Sequence, residues 1–260
     1  MLIIQPIGGL CNRIRAINSA KMLAKERGES LTVIWNINHE LGCPYEDLFC
    51  PTKDFKVINI RSKWNLKKLY LQTTSRFVNN DEIRSHKGDG LLEESFRKAL
   101  PSKVYIATEE HFYPCHEYTS FVPTPDMQKR IKAMTDQLGD HAVGVHIRRT
   151  DNKPAIGKSS TECFIHSMEL EIANNSDTMF YVATDDFSEE KALREHFHEK
   201  IISNENRNLS RDSIAGIQDA MIDLYTLAAT NKIIGSYFSS FTDIAADMHQ
   251  IPKVVAGEDE

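Results

Sequence analysis

The sequence lacks any long hydrophobic run. No stretch approaches the roughly 18 consecutive apolar residues of a membrane-spanning helix. The opening run MLIIQP (residues 1–6) has neither the basic segment nor the apolar length of a signal peptide, and it predicts a strand instead. We therefore expect a protein without a transmembrane segment.

Cysteines are few and are not arranged for cross-links or zinc. The chain has five, an odd number, and no Cys-x-x-Cys pair. Cys43 and Cys50 are too isolated to predict a zinc site. Reduced thiols are typical of the cytoplasm, so we expect the protein to be cytoplasmic.

Common nucleotide-binding motifs are also missing. The sequence has no Gly-x-Gly-x-x-Gly dinucleotide fingerprint and no Gly-x4-Gly-Lys-Ser/Thr phosphate loop, which counts against an ordinary ATPase or kinase. The formal net charge of −6 gives no reason to expect nucleic-acid binding.

Helices and strands alternate in both halves of the chain. Strand 2–6, a glycine loop, a helix from about 13 to 27 and strand 31–35 open a parallel sheet. After residue 127 the helices again alternate with predicted strands, at 142–148, 178–184, 200–203, 232–235 and 253–255. This rhythm is typical of a doubly wound parallel sheet.

Pro123 and Pro125 mark a linker near the middle of the chain, because proline disfavours both helices and central strands. We expect an N-terminal domain over 1–122 and a C-terminal domain over 127–260. The predicted fold is α/β, with two Rossmann-like halves whose parallel sheets face a cleft.

Charged residues collect where one predicted strand ends. The run HIRRTD (146–151) closes the apolar strand VGVHI (143–147). Ligands of open α/β sheets bind at the carboxyl ends of strands, and arginine presents planar donors that suit phosphate oxygens. The run therefore indicates a phosphate-bearing ligand, with a solvated ion pair as the alternative.

Two strand-to-helix corners offer backbone donors. Gly8 and Gly9 let the backbone approach a ligand closely, although such a loop by itself is more often a tight turn than a ligand site. Ser239, Ser240 and Thr242 crowd the first turn of the last helix, where the helix dipole favours an anion. A simple N-cap needs only one hydroxyl, so three favour phosphate binding.

Three acidic residues have two interpretations each. Asp185 and Asp186 follow a strand and could bind a metal, but capping of the next helix is the favoured interpretation. Asp223 lies on an otherwise apolar helix, and a buried carboxylate needs donors. A guanine edge supplies two, and an arginine or a backbone cap would serve equally.

In order and spacing, four segments together resemble the GDP-fucose-dependent fucosyltransferases of the α1,6, nodulation-factor and protein O-fucosyl superfamily. These segments are GGLCNR (8–13), HIRRTD (146–151), YVATDD (181–186), and Asp223 with FSSFT (238–242). The resemblance covers about 142 to 250 and, before residue 120, only the first loop. It implies a GT-B fold and inverting, metal-independent transfer of fucose from GDP-fucose to a glycan acceptor, with no cofactor.

The resemblance also implies roles for single residues. Arg148 matches the phosphate-binding arginine, Asp223 the guanine-reading aspartate, and Ser239 and Ser240 the nucleotide-binding hydroxyls. The predicted nucleotide-sugar site comprises Gly8, Gly9, His146, Arg148, Asp223, Ser239, Ser240 and Thr242.

The predicted catalytic set adds Arg149, the second arginine of the α1,6 and nodulation-factor branch, and Asn12, the glycine-loop asparagine of the protein O-fucosyl branch. The acceptor base is left between Asp151 and Glu162. In the α1,6 branch four residues separate this aspartate from a glutamate, whereas ten separate them here. Two further functions stay open: transfer of another GDP-sugar, and a nucleotide-sugar-binding module without turnover.

Overall fold

The structure is a computed structural model that describes residues 1–62, 64–150 and 153–258. Its strands are β1 (Leu2–Pro6), β2 (Leu31–Asn36), β3 (Lys56–Ile60), β4 (Arg76–Val78), β5 (Lys87–Gly88), β6 (Leu91–Leu92), β7 (Val104–Thr108), β8 (Ala142–Ile147), β9 (Met179–Thr184), β10 (Ile201–Ile202), β11 (Lys232–Gly235) and β12 (Lys253–Val255). Its α-helices are α1 (Leu10–Glu26), α2 (Leu66–Thr73), α3 (Asn80–Ser85), α4 (Glu94–Ala99), α5 (Pro125–Thr135), α6 (Lys153–Lys158), α7 (Thr161–Asn174), α8 (Phe187–Phe197), α9 (Ile214–Ala228) and α10 (Ser240–His249). No helix in these ranges is long and apolar enough to cross a membrane.

The chain forms two compact units. Unit 1 contains Met1–Thr124 and Ser210–Gln218, and unit 2 contains Pro125–Leu209 and Asp219–Glu260. In unit 1 the Gly42 N–H donates to the carbonyl of Arg211 over 2.8 Å, which ties the late segment to the early one. A Cβ added at Gly42 would lie 2.1 Å from the carbonyl oxygen of Asp212, so this approach requires glycine.

Unit 1 is built on a parallel sheet with the strand order β3-β2-β1-β7-β4. One face carries a buried cluster of Ile3, Ile34, Ile60, Tyr105 and Ala107. Apolar residues recur at alternate positions because successive strand side chains point to opposite faces. The central strands β1, β2 and β7 are mostly buried, and burial of both faces explains why they are largely apolar.

Unit 2 has a second parallel sheet, with the order β10-β9-β8-β11-β12. Val143, Val145 and Ile147 of β8 face the side covered by α7, where Phe164 and Met168 join the core. Counted within the unit, the strand order is 3-2-1-4-5, as in doubly wound folds. The predicted α/β fold with parallel sheets is confirmed.

Candidate functional site

The direction of winding in unit 2 reverses between two adjacent central strands. The chain leaves β8 toward β9 on one side, and it leaves β11 toward β12 on the other. Open α/β sheets bind ligands at such a reversal, beyond the carboxyl ends of the strands. Segment 146–150 ends β8 and segment 236–239 follows β11, so the structure brings these two predicted parts of the site to one edge.

Backbone hydrogen bonds join the two segments. The N–H of Arg148 donates to the hydroxyl of Ser236 over 2.9 Å, and the N–H of Ser236 donates to the carbonyl of His146 over 3.0 Å. Ser236 therefore holds the start of the arginine turn in place. The sequence does not predict this role for Ser236, because no neighbouring residue distinguishes its hydroxyl from the other hydroxyls that follow β11.

His146 is buried within this edge. Its ring stacks on Phe241 with centroids 4.7 Å apart, and its Nδ1 lies 3.0 Å from the Thr242 hydroxyl and 3.3 Å from the Ser239 hydroxyl. Burial, aided by the charge of Arg148, lowers the pKa of His146 to about 3. The imidazole is therefore neutral at physiological pH, and it can orient hydroxyls but cannot supply a positive charge.

The corner between β11 and α10 is tightly packed. Ser239 is the N-cap of α10, and its hydroxyl accepts a hydrogen bond from the Thr242 N–H over 3.5 Å. A Cβ added at Gly235 would lie 2.3 Å from the Thr242 side chain, so this corner requires glycine. Ser239 and Thr242 are thus used by the fold itself, while Ser240 opens the helix whose N-terminal dipole favours an anion.

The two predicted arginines have different surroundings. Arg149 pairs with Glu189, with Nε and Oε1 2.8 Å apart, and its Nη1 donates to the Ser159 carbonyl over 2.9 Å. Its guanidinium carbon also lies 5.7 Å from the Phe164 ring centroid. The protein therefore uses the Arg149 donors internally.

Arg148 is more accessible, with 24% of its side chain exposed against 10% for Arg149. Its Nη1 lies 3.2 Å from Oδ2 of Asp185. Both arginines lie just beyond the end of β8 at Ile147, and of the two it is Arg149 that contacts Phe164. Of the two arginines, Arg148 is the one suited to meet an anionic ligand.

The adjacent carboxylates after β9 both have protein partners. Asp186 caps α8 by accepting from the Ser188 N–H over 2.8 Å, as expected for a helix cap. Asp185 instead holds the arginine turn, accepting from the Arg149 N–H over 2.8 Å and from the Thr150 hydroxyl over 2.7 Å. In the described part of the chain, no group of three His, Cys, Asp or Glu side chains could hold a metal ion.

Asp223 is buried on α9 and has a protein partner there. The hydroxyl of Tyr181 in β9 donates to its Oδ1 over 2.6 Å. Burial raises the pKa of Asp223 to about 7, although the Tyr181 hydrogen bond and the charge of Arg207 oppose the rise. The sequence places Tyr181 in a predicted strand and in the segment YVATDD (181–186), and it does not predict that Tyr181 donates to Asp223.

Arg207 is a second residue that the sequence analysis missed. It is buried, pairs with Glu190 at 2.6 Å, and donates to the carbonyl of Thr184 over 3.4 Å at the carboxyl end of β9. Its partners are distant in the sequence, and Arg207 itself lies in an irregular segment. The local sequence therefore does not predict that this arginine is buried and paired.

Of the two candidate bases, the structure describes the surroundings of Glu162. Glu162 is exposed in the first turn of α7, where hydrogen bonds from its own backbone N–H and from Ser160 lower the pKa of its carboxyl. A carboxylate with a low pKa is a weak base unless the substrate changes its surroundings. Asp151 lies outside the described residues, so the choice of base stays a prediction.

In unit 1, the glycine loop has its own supporting contacts. Gly8 has φ +81°, and a Cβ there would lie 2.8 Å from Nδ2 of Asn12. That nitrogen is 3.5 Å from a carboxylate oxygen of Glu109. Gly9 is the N-cap of α1, which begins at Leu10, three residues earlier than predicted.

Arg13 holds the same loop from inside unit 1. It is fully buried, and its Nε donates to the Gly8 carbonyl over 2.8 Å while its guanidinium carbon lies 5.0 Å from the Trp35 ring centroid. Burial lowers the pKa of Arg13 to about 10, so it stays charged at neutral pH. The sequence offers Arg13 only as the last residue of the segment GGLCNR (8–13), and it does not predict this supporting role.

Comparisons with known proteins identify the fold. No protein-family model matches the sequence, and no curated protein matches it. The structure is similar to that of NodZ α1,6-fucosyltransferase soaked with GDP-fucose, with a TM-score of 0.66, 15% identity, and coverage of 95% of this chain and 92% of that one. NodZ from Bradyrhizobium gives a TM-score of 0.63 and 15% identity, with 94% and 92% covered.

Two other solved structures are also similar to this one. A variant of Arabidopsis thaliana FUT1 in complex with GDP has a TM-score of 0.65 and 13% identity, covering 98% of this chain and 69% of that one. POFUT1 in complex with GDP-fucose has a TM-score of 0.61 and 11% identity, with 98% and 97% covered. The fold of this chain is therefore similar to the folds of NodZ, FUT1 and POFUT1.

Proposed function

We propose that this protein is a glycosyltransferase that transfers fucose from GDP-fucose to a glycan acceptor. The observation that carries the proposal is the edge of unit 2 where Arg148, His146 and the start of α10 meet. The shared fold supports it, because similar structures are those of NodZ α1,6-fucosyltransferase soaked with GDP-fucose and of POFUT1 in complex with GDP-fucose.

In this proposal the diphosphate binds between Arg148 and the N-terminus of α10. Arg148 supplies a planar pair of donors, and Asp185 orients its guanidinium through the 3.2 Å ion pair. Gly235 allows α10 to approach closely. Asp223 reads the guanine edge, which requires the base to compete with the Tyr181 hydroxyl for the carboxylate.

The chemical step follows from these positions. When the bond between fucose and GDP breaks, negative charge builds on the β-phosphate oxygen. Fixed donors aimed at that charge are usually the largest catalytic contribution, and Arg148 and the helix N-terminus supply them. An acceptor hydroxyl attacks the opposite face of the sugar, helped by a carboxylate base, so the configuration at the anomeric carbon inverts. Asp151 and Glu162 are the proposed bases.

We also propose that the reaction needs no metal ion. Arg148 and the dipole of α10 offset the charge of the diphosphate, and Asp185 and Asp186 are engaged by neighbouring protein groups. Residues 1–122 are proposed as the acceptor-side domain and 127–260 as the domain that binds the nucleotide sugar, in a cytoplasmic protein.

A direct binding and turnover experiment tests the proposal. Calorimetry with GDP, UDP, GDP-fucose and GDP-mannose in metal-free buffer should give tight binding only for the guanine nucleotides, with GDP-fucose preferred. Release of GDP from GDP-fucose should then be detectable, first by hydrolysis and faster with an oligosaccharide acceptor. Equal affinity for UDP and GDP would overturn the proposal. Binding without any release of GDP would favour a module without turnover, and preference for GDP-mannose would favour another GDP-sugar.

A further inference from the structure

One region of unit 1 has a charge opposite to that of the whole chain. Residues 55–80 contain no Asp or Glu, although the full sequence has a formal net charge of −6. The basic residues in this stretch are Lys56, Arg61, Lys63, Lys67, Lys68 and Arg76. The net negative charge of the protein repels anionic partners, whereas a local excess of positive charge attracts them. This region therefore predicts a negatively charged partner that binds here specifically.

The same region exposes large apolar side chains. Trp64 is 82% exposed, Leu66 is 83% exposed and Tyr70 is 63% exposed. Leu66 and Tyr70 are four residues apart on α2, so they lie on one side of this helix. Leu71, on another side of α2, packs against the buried cluster of unit 1. The helix is therefore held to the sheet by one face, while Leu66 and Tyr70 meet solvent.

We call the exposed and basic residues at the start of α2 and beside it the basic aromatic patch, and we define it by Arg61, Trp64, Leu66, Lys67, Tyr70 and Lys103. The ammonium of Lys103 lies 5.1 Å from the Tyr70 ring centroid, which adds a charge from the neighbouring strand region. Asn65 caps α2 by accepting from the Lys68 N–H over 3.1 Å, so Trp64 directly precedes an ordered helix start. Exposed apolar side chains grouped in this way mark an interaction site.

We propose that the basic aromatic patch docks the protein on an anionic lipid surface. Tryptophan and tyrosine favour the boundary between headgroups and acyl chains, and leucine inserts beside them. Lysine and arginine are attracted to the negative surface potential of anionic lipids, each contributing severalfold to the affinity. A short helix with both features is suited to lie on a bilayer, and it needs no membrane-spanning segment.

Charge favours a lipid surface over the other occupants. A second copy of this chain would bring two positive patches together, and like charges repel. A neutral glycan would stack on Trp64 or Tyr70 but would gain nothing from Arg61, Lys67 and Lys103. An anionic bilayer uses the apolar and the basic residues at once. The inference is independent of the proposed fucosyltransferase function.

Tryptophan fluorescence gives a direct test. The chain has two tryptophans, of which Trp35 is fully buried and Trp64 is exposed, so a change in emission on docking reports on Trp64. Titration with vesicles of phosphatidylglycerol and phosphatidylcholine should shift the emission to shorter wavelength and should carry the protein into the vesicle pellet. Vesicles of phosphatidylcholine alone should bind at least tenfold more weakly, and Trp64→Phe should remove the spectral shift.

Matched charge variants separate the patch from the overall charge. Lys67→Glu should weaken vesicle binding about tenfold or more, because one attraction is lost and one repulsion is added. Lys129→Glu on α5 makes the same charge change at an exposed helix position in unit 2, and it should have little effect. The double variant Leu66→Ser, Tyr70→Ser should also weaken binding, while GDP binding stays as in the natural protein.

Several outcomes would overturn the inference. These are no binding to anionic vesicles at low salt, equal effects of Lys67→Glu and Lys129→Glu, and equal binding to neutral and anionic vesicles. Self-association that disappears in the double variant, without any vesicle binding, would assign the patch to a second copy instead. GDP binding is measured on the same samples, so a failure here is distinguishable from a failure of the proposed function.

Discussion

Replacing Asp223 by asparagine tests both the folding and the binding role of this buried carboxyl. Its pKa is raised from 3.8 to about 7 by burial. The folded state therefore keeps a proton that the unfolded state has already released, and stability must fall as the pH rises from about 4 to 7. Three pKa units correspond to about 4 kcal/mol of unfolding free energy, as an upper estimate. Asp223→Asn should remove that slope.

Urea unfolding at several pH values between 5 and 8 measures this effect. The difference in unfolding free energy between Asp223→Asn and the natural protein should grow with pH and level off above about 7. Tyr181→Phe is the matched control, because the Tyr181 hydrogen bond lowers the pKa of Asp223. Without that donor, the level region should begin at a higher pH.

Nucleotide binding should be linked to the same proton. A guanine edge donates two hydrogen bonds, so it pairs with the deprotonated carboxylate, and GDP binding must release a proton when the pH is below about 7. GDP affinity should rise up to about tenfold per pH unit below that value and become flat above it. Calorimetry in buffers of different ionisation enthalpy counts the proton, and the same titration with Asp223→Asn subtracts the titration of the phosphate.

An Asp223→Asn variant that keeps natural GDP affinity and natural proton release would refute the guanine-reading role. If its unfolding retained the full pH slope as well, the burial argument would also be wrong. Both effects are expected from the same carboxyl. A variant that loses the pH dependence of the unfolding free energy must therefore also lose the pH dependence of GDP affinity, so the two measurements check each other.

Three further predictions concern the two arginines, the acceptor base and the metal requirement. Arg148→Ala should weaken GDP binding by roughly 1.5–3 kcal/mol, because a charge-assisted hydrogen bond is lost. Arg149→Ala breaks the pair with Glu189 and should mainly lower the thermal unfolding midpoint, and equal losses of GDP affinity in the two variants would contradict these different roles. Glu162→Gln should slow transfer strongly and leave GDP-sugar affinity within about fivefold, because a base acts in the transition state; normal turnover in Glu162→Gln, with loss in Asp151→Asn, would move the role to Asp151. Transfer should persist in excess EDTA and be unchanged by added Mg²⁺ or Mn²⁺, and a complete loss that either metal restores would rule out the metal-independent mechanism.

Local sequence patterns predict the α/β class, the approximate helices and strands, and the carboxyl end of β8 as a place for ligands. These features follow from local periodicity, because strand alternation and helix spacing depend on residues close together in the chain. The run from His146 to Arg149 was recognisable for the same reason. Glycines with a demanding backbone, such as Gly8, were also visible as a loop between a strand and a helix.

The partners of those residues follow from the tertiary structure. Arg148 and Arg149 are equivalent in the sequence, yet Glu189, forty residues later in the chain, engages one of them. Likewise Tyr181 and Asp223 are separated by 42 positions, and their hydrogen bond exists only because the fold brings these two distant residues together. The physical reason is that burial and pairing depend on which distant segments meet. A local pattern predicts that a side chain has a partner, but the packing of the whole unit decides which partner it is.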